Sequence, residues 1–161
     1  MAKKRNEAKF TGFAFLTTPD DLLAKLKHDL HRMGPTREGC YAMYDFFITA
    51  DNLCDWWQQQ QPESCGGFRE KEKLRRVVAQ IANTAKHYKA EDQRHQSLSD
   101  LFKDGYVEDG YVEEGYFEEP PTVTFEIEDA EELHFPLKME LQELARRVYE
   151  HWYQIIIDSQ A

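Results

Sequence analysis

Residues 41–57 read YAMYDFFITADNLCDWW, and this stretch decides the fold of the 161-residue chain. Wound as a helix, it presents apolar side chains on nearly every side, which is typical of a helix in the centre of a bundle. The sequence predicts that this central helix begins near Thr36 and ends at about Gln60, because Pro62 and the pair Gly66-Gly67 then interrupt the pattern. A helix of this kind needs other helices to cover it.

Three further stretches have the apolar spacing of helices that cover such a centre. The first begins at Thr18-Pro19-Asp20-Asp21, where a capping hydroxyl, an early proline and acids in the first turn mark a helix start. It ends at Gly34-Pro35, the next helix is predicted from about Phe68 to Ala90, and the last from about Pro136 to Ile157. The buried stripe predicted for the last helix is Leu137, Leu141, Leu144, Val148, Trp152 and Ile155.

Between the third and the last helix the pattern changes. A short turn of helix is predicted at Leu98–Lys103, and residues 104–118 then hold three copies of a five-residue unit, DGYVE, DGYVE and EGYFE. Residues 122–128 alternate between apolar and polar, with Val123, Phe125 and Ile127 on one side, as in a half-buried strand. We interpret this region as a hairpin or small sheet packed on the bundle; the alternative is an extended loop.

These patterns predict a mainly α fold with a four-helix-bundle-like core and a small β-hairpin or sheet insertion before the last helix. A single domain is predicted to span residues 1–161, with residues 1–10 disordered and residues 104–128 forming the acidic Gly/Tyr repeat and the β insertion. The three cysteines lack Cys-x-x-Cys spacing, and no apolar run suits a signal peptide or a membrane span. We therefore expect a cytoplasmic protein that does not bind membranes.

The negative charge of the chain is concentrated in one segment. The net charge is −10, yet residues 104–132 hold twelve acids and no Lys or Arg, which leaves the other residues near +2. Tyrosine is favoured at binding surfaces, so Tyr106, Tyr111 and Tyr116 predict a non-enzymatic interaction module that binds a protein partner or a second copy of itself. The alternative interpretation is that exposed acids here only discourage aggregation between strand edges.

A second group of polar residues lies on the two central helices. Asp51 and Asp55 share one face of the central helix, and Asn83 and His87 are likewise four residues apart on the next helix, with Lys86 beside them. A carboxylate among apolar residues needs a partner, so we predict a polar cluster of these five residues, with Asp55 within hydrogen-bonding reach of the helix that bears Asn83 and His87. The alternatives are a solvated helix face and a ligand site.

The sequence offers little support for a metal or for nucleic acid. Asp51, Asp55, His87 and His151 could supply metal ligands, but the chain has no His-Glu-x-x-His pair, and we predict neither a metal nor a cofactor. Cys54 is interpreted as an inert core thiol. The bases of the third helix alternate with acids, which favours a salt-bridged solvent face over a nucleic-acid surface. These bases are Arg69, Lys71, Lys73, Arg75 and Arg76.

Two motifs support a family resemblance. The stretches FITADNLCDWW (residues 47–57) and IANTAKHYK (residues 81–89) resemble those of a group of small, uncharacterised prokaryotic and phage proteins, with a Gly-Tyr-rich stretch and a strand following. The resemblance covers roughly residues 40–155 and implies a bacterial or phage origin.

The bundle is more distantly similar to HEPN domains, many of which are ribonuclease toxins or defence effectors. Their motif is an Arg followed after four to six residues by a His, and Arg146 with His151 has this spacing. This resemblance implies the alternative function, a HEPN-like ribonuclease or defence-related RNA-processing protein. In it, His151 or His87 would act as acid or base and a neighbouring Arg or Lys would stabilise the charge on phosphate.

Overall fold

The structure, a computed structural model, describes residues 11–60, 72–87, 98–101 and 120–161. Over these residues the chain is mainly α-helical and includes a three-stranded antiparallel sheet ahead of its last helix, so the predicted fold class is confirmed. In chain order the elements are α1 (Pro19–Arg32), α2 (Arg37–Gln60), α3 (Lys73–His87), β1 (Leu98–Leu101), β2 (Thr122–Phe125), α4 (Ile127–Leu133), β3 (Lys138–Glu140) and α5 (Leu141–Gln160).

Helix α2 lies at the centre of the helical core, as its sequence predicts. It contacts α1, α3 and α5, and α1 also contacts α5. The largest buried side chains include Phe46 and Phe47 of α2, whose rings meet edge to face at 5.3 Å, and Trp152 of α5. Val123 of β2 and Met139 of β3 belong to the same apolar cluster, so the sheet is packed on the bundle rather than separate from it.

Helix α1 begins where the sequence predicts. The backbone nitrogens of Thr17 and Thr18 each donate to the Asp21 carboxylate at 2.9 Å, while the Thr18 hydroxyl accepts from the Asp21 nitrogen. Hydrogen bonds from Thr17 and Thr18 lower the pKa of Asp21 below its usual value, which indicates that they stabilise the ionised form. This reciprocal capping satisfies backbone donors that the first turn leaves open.

The turn between α1 and α2 is tight. The Thr36 hydroxyl accepts from the Gly39 nitrogen at 3.0 Å and caps α2, which brings Gly39 against the backbone of Gly34. A Cβ atom on Gly39 would lie 2.5 Å from the Gly34 nitrogen and closer still to the Gly34 carbonyl oxygen. At Gly34 itself, an added Cβ would meet nothing within 4 Å.

The substitution Gly39→Ala should therefore destabilise the protein by about 1–3 kcal/mol, since the turn must shift to admit the methyl group. Gly34→Ala is the matched control and should change stability by less than about 0.5 kcal/mol. Urea unfolding of the two variants and the parent measures the difference. Equal unfolding midpoints for the two variants would contradict the tight packing described here.

The sheet has the order β1-β2-β3, with β2 antiparallel to both neighbours. Val123 of β2 pairs with Leu101 of β1 on one side and with Met139 of β3 on the other. The helical turn predicted at Leu98–Lys103 is wrong, because residues 98–101 form β1, whose partners lie more than twenty residues further along the chain.

Two predicted boundaries are also wrong. The predicted strand over residues 122–128 ends at Phe125, and Ile127 is not on its buried side but begins α4, where it is 65% exposed. The last helix begins at Leu141 rather than Pro136, because residues 138–140 pair with β2. Leu137 is consequently exposed instead of buried.

At its other end, α5 continues to Gln160 instead of stopping near Ile157. The residue that is fully buried there is Ile156, whereas Ile155, which was predicted to be buried, is half-buried. Three predictions concern residues that the structure does not describe. They are the disorder of residues 1–10, the ends of the third helix at Phe68 and Ala90, and the repeats of residues 104–118. Of the helices that the structure describes, none combines the length and the apolar character needed to cross a bilayer.

Candidate functional site

The predicted polar cluster between α2 and α3 is assembled in part. Asp51 is buried, and its Oδ2 atom accepts from the Lys86 Nζ atom at 3.1 Å, which ties α2 to α3. Asn83 is half-buried, whereas Asp55 and His87 are exposed on their helices. The structure thus joins one carboxylate to the lysine, and it places the other carboxylate and the imidazole at the surface.

A double-mutant cycle tests this pair. Asp51→Asn and Lys86→Met should each destabilise the protein, and their combined effect should fall short of the sum by about 1 kcal/mol, because the second change removes a partner already lost. Unfolding free energies of the parent, both single variants and the double variant give the coupling. Additivity within about 0.3 kcal/mol would mean that the ion pair does not stabilise the fold.

Two further buried carboxylates are paired with bases, one within α1 and one between α3 and α4, and sequence reasoning missed both. Asp29 of α1 is 1% exposed and accepts from Lys25 at 2.5 Å and from Arg32 at 3.1 Å. Lys73 of α3 binds Asp129 of α4, which is also buried. The hydrogen bond to Asp129 is the main cause that raises the pKa of Lys73 above its usual value. These contacts are structural, since each joins a charge at the core to its counter-charge.

Of the five bases predicted to form a solvent face, Arg69 and Lys71 lie outside the described residues, and the three on α3 are not exposed. Lys73 is half-buried in its ion pair, and Arg75 is buried, with its guanidinium 3.7 Å from Glu72. Burial lowers the pKa of Arg75. A signal for this was present in the sequence, because Arg75 shares a helix face with Ala79 and Ala82, which are also buried.

Of the two candidate histidines, only His151 is drawn into the interior. Burial lowers the pKa of His151, the positive charge of Arg75 lowers it further, and Glu72 opposes both effects. Its Nε2 atom is buried and has no hydrogen-bond partner among the residues that the structure describes. The ring packs edge-on against Trp152. The arrangement favours the neutral form of this half-buried imidazole.

The Arg146–His151 pair that the HEPN resemblance implies is not brought together. Arg146 lies on the exposed side of α5, where it donates to Glu143 at 2.7 and 2.9 Å and also binds Glu150. The hydrogen bond from Arg146 is the main cause that lowers the pKa of Glu143 to about 2. The arginine whose charge acts on His151 is Arg75 instead, and both of these groups are withdrawn from solvent.

The lowered pKa of His151 predicts a pH dependence of stability. Its pKa in the unfolded chain is about 6.5, so below that pH the unfolded state binds the proton more readily than the folded state does. Stability should therefore fall as the pH drops below about 6.5, until the pKa of the folded state is passed. His151→Gln should lose this contribution. Urea unfolding of both proteins across this pH range checks it, and parallel pH profiles would contradict it.

An apolar groove opens at the surface between α4 and β3. Its volume is about 540 Å³, it is broadly open to solvent, and more of its lining is apolar than polar. The side chains that line it are Ile127, Ala130, Glu131, His134, Phe135 and Leu137. Phe135 forms part of the wall, and its ring packs against Phe125 at 5.7 Å and against the Arg147 guanidinium at 4.8 Å.

The groove lies at the downstream end of the acidic segment. Ile127, Ala130 and Glu131 belong both to the groove and to residues 104–132. Sequence reasoning did not find this site, since it placed Ile127 and Leu137 in the core. The tyrosines predicted to form the interaction surface, Tyr106, Tyr111 and Tyr116, lie outside the described residues.

No grouping of three or more histidine, cysteine or carboxylate side chains suited to a metal ion occurs within the described ranges. Comparison of the chain with protein-family models, with curated proteins and with solved structures gives no match. The resemblances drawn from the two helical motifs therefore remain predictions.

Proposed function

We propose that this chain is a cytoplasmic, non-enzymatic interaction module that binds a basic protein partner through its acidic, tyrosine-rich segment. The observation that supports this most directly is the separation of charge, with −12 in residues 104–132 and about +2 in all other residues. A segment so strongly of one sign attracts a partner of the opposite sign and accelerates encounter with it.

The part of the acidic segment that the structure describes supports the proposal. Residues 122–133 supply the central strand β2 and helix α4, and the side chains of Val123, Phe125 and Ala130 belong to the apolar core. In contrast, Glu126, Glu128 and Glu131 are exposed. The segment is thus attached to the body by its apolar residues while it presents acids outward, which suits a binding surface on a stable support.

The candidate catalytic residues give less support to the ribonuclease alternative. Acid–base catalysis on RNA needs a histidine within hydrogen-bonding reach of the substrate. The His151 Nε2 atom is buried and Arg146 is engaged by two glutamates. His87 is exposed, but residues 80–82, where the motif spacing requires an Arg, contain none. The acids of residues 104–132 also repel a phosphate backbone. We therefore favour a protein partner, or a second copy of this chain, over nucleic acid.

Deletion of residues 104–119 should abolish partner binding or self-association and leave the helical core folded. The tagged full chain and the deletion variant are used to capture partners at low and high salt, and light scattering reports the mass of each purified protein. Binding should weaken as salt rises, because screening reduces attraction between exposed charges.

A variant with Tyr106, Tyr111 and Tyr116 all replaced by Ser serves as the matched control, since it keeps the length and charge of the segment. Unchanged capture and unchanged mass for the deletion variant, with a native circular dichroism spectrum, would refute the proposed function. Loss of binding in the deletion variant alone would assign the interaction to charge rather than to tyrosine.

A further inference from the structure

The groove between α4 and β3 combines exposed apolar side chains with an acidic lining residue, Glu131, and with further acids close by in the sequence. Ile127 is 65% exposed and Leu137 is 48% exposed, although both are large aliphatic residues. Residues 120–140 include six acids and a single Lys or Arg, Lys138. Five of the acids are exposed, namely Glu126, Glu128, Glu131, Glu132 and Glu140. An apolar groove with charges of one sign nearby binds some partners in preference to others, because the partner must match both its apolar surface and its charge.

We propose that this groove receives an apolar side chain from a Lys/Arg-rich segment of the protein partner. The inference rests on the proposed function, because it takes the basic partner from there and gives that partner a docking position. Apolar contact with Ile127 and Leu137 would supply affinity, and the surrounding glutamates would select a basic segment over an acidic one.

The charges of the described residues argue for this occupant over others. The acids around the groove repel the phosphates of nucleic acids and of anionic lipid surfaces, whereas they attract lysine and arginine. Arg147, which packs on Phe135 in the groove wall, does not offset them in full, because its Nε atom donates to Glu143 at 2.9 Å. The groove is also open on one side, as suits a chain segment that passes across it rather than a small molecule enclosed by it.

The position of the groove links it to the rest of the acidic segment. Ile127 and Ala130 lie on α4, only a few residues beyond β2, so the groove is close in sequence to the acidic repeats of residues 104–118. A basic segment of the partner that binds residues 104–119 would have the groove next to it in sequence. Two neighbouring contacts on one partner reinforce each other through their effective concentration.

The test uses the full chain and two fluorescent peptides, each a short Lys/Arg-rich sequence, one with a central Phe and the other with Ser in its place. The Phe peptide should bind about tenfold more tightly than the Ser peptide, which is the effect of one buried aromatic anchor. Combined Ile127→Ser and Leu137→Ser changes should remove this difference. Phe15→Ser is the matched control, because Phe15 is 84% exposed outside the groove, and it should change nothing.

A second variant guards against loss of folding in the double variant. Glu131→Lys changes an exposed residue of the groove lining and should weaken binding of both peptides, with the Phe preference retained. Equal binding of the Phe and Ser peptides to the parent would overturn the inference. Tighter binding of an RNA oligonucleotide or of anionic vesicles than of the Phe peptide would overturn it as well, as would a homodimer that only the groove substitutions dissociate.

The outcomes separate this inference from the function on which it rests. Partner capture that is lost on deletion of residues 104–119 but is insensitive to the groove substitutions would refute the docking site and leave the proposed function standing. A Phe preference that is abolished by the groove substitutions, with capture unaffected by the deletion, would support the groove and count against the repeats as the binding element.

Discussion

Helix α2 is apolar around most of its circumference, and the rest of the molecule is arranged to keep it from water. Phe46, Phe47 and Leu53 are at most 1% exposed, and α1, α3 and α5 all contact this helix. Burial of one large apolar side chain contributes about 1.5–3 kcal/mol, so separating any neighbour from α2 would sacrifice several such contributions. The same packing leaves polar groups near the core with little access to solvent, and they must find partners inside the protein.

The ion pairs between helices meet that requirement, and they also fix how the helices are aligned with one another. Apolar packing tolerates small shifts of one helix along another. An ion pair does not, because its two charges meet in only one alignment of the helices; this applies to Asp51 with Lys86 and to Lys73 with Asp129. A shift of α3 that separated either pair would leave a largely buried carboxylate without its counter-charge, at a cost of a few kcal/mol. Core polarity in this protein therefore serves alignment, and the catalytic roles considered for His87, His151 and Arg146 stay predictions.

The sequence correctly predicted the parts of the fold that depend on residues close together in the chain. Its predictions failed where the structure depends on contacts between residues far apart in the chain. The α1 start at Thr18–Asp21 and the full length of α2 were correct, because capping and apolar spacing are local properties. Leu98–Leu101 forms a strand only because β2 lies beside it. Pro136 and Leu137 resembled a helix start, yet pairing of Met139 with Val123 extends the chain there. In the candidate site, the contact between Asp51 and Lys86 could be predicted from the spacing of residues on the two helices. The groove could not be predicted, because it exists only once the tertiary structure has formed.

The antiparallel pairing of β1 with β2 has an architectural consequence. Leu101 and Val123 are register partners, so both ends of the intervening chain are fixed at the same point of the sheet. The entropy cost of joining two fixed ends rises only logarithmically with the length of a flexible chain, so one more five-residue unit would add well under about 1 kcal/mol. This attachment would let the number of units change while the pairing of β1 with β2 stays the same.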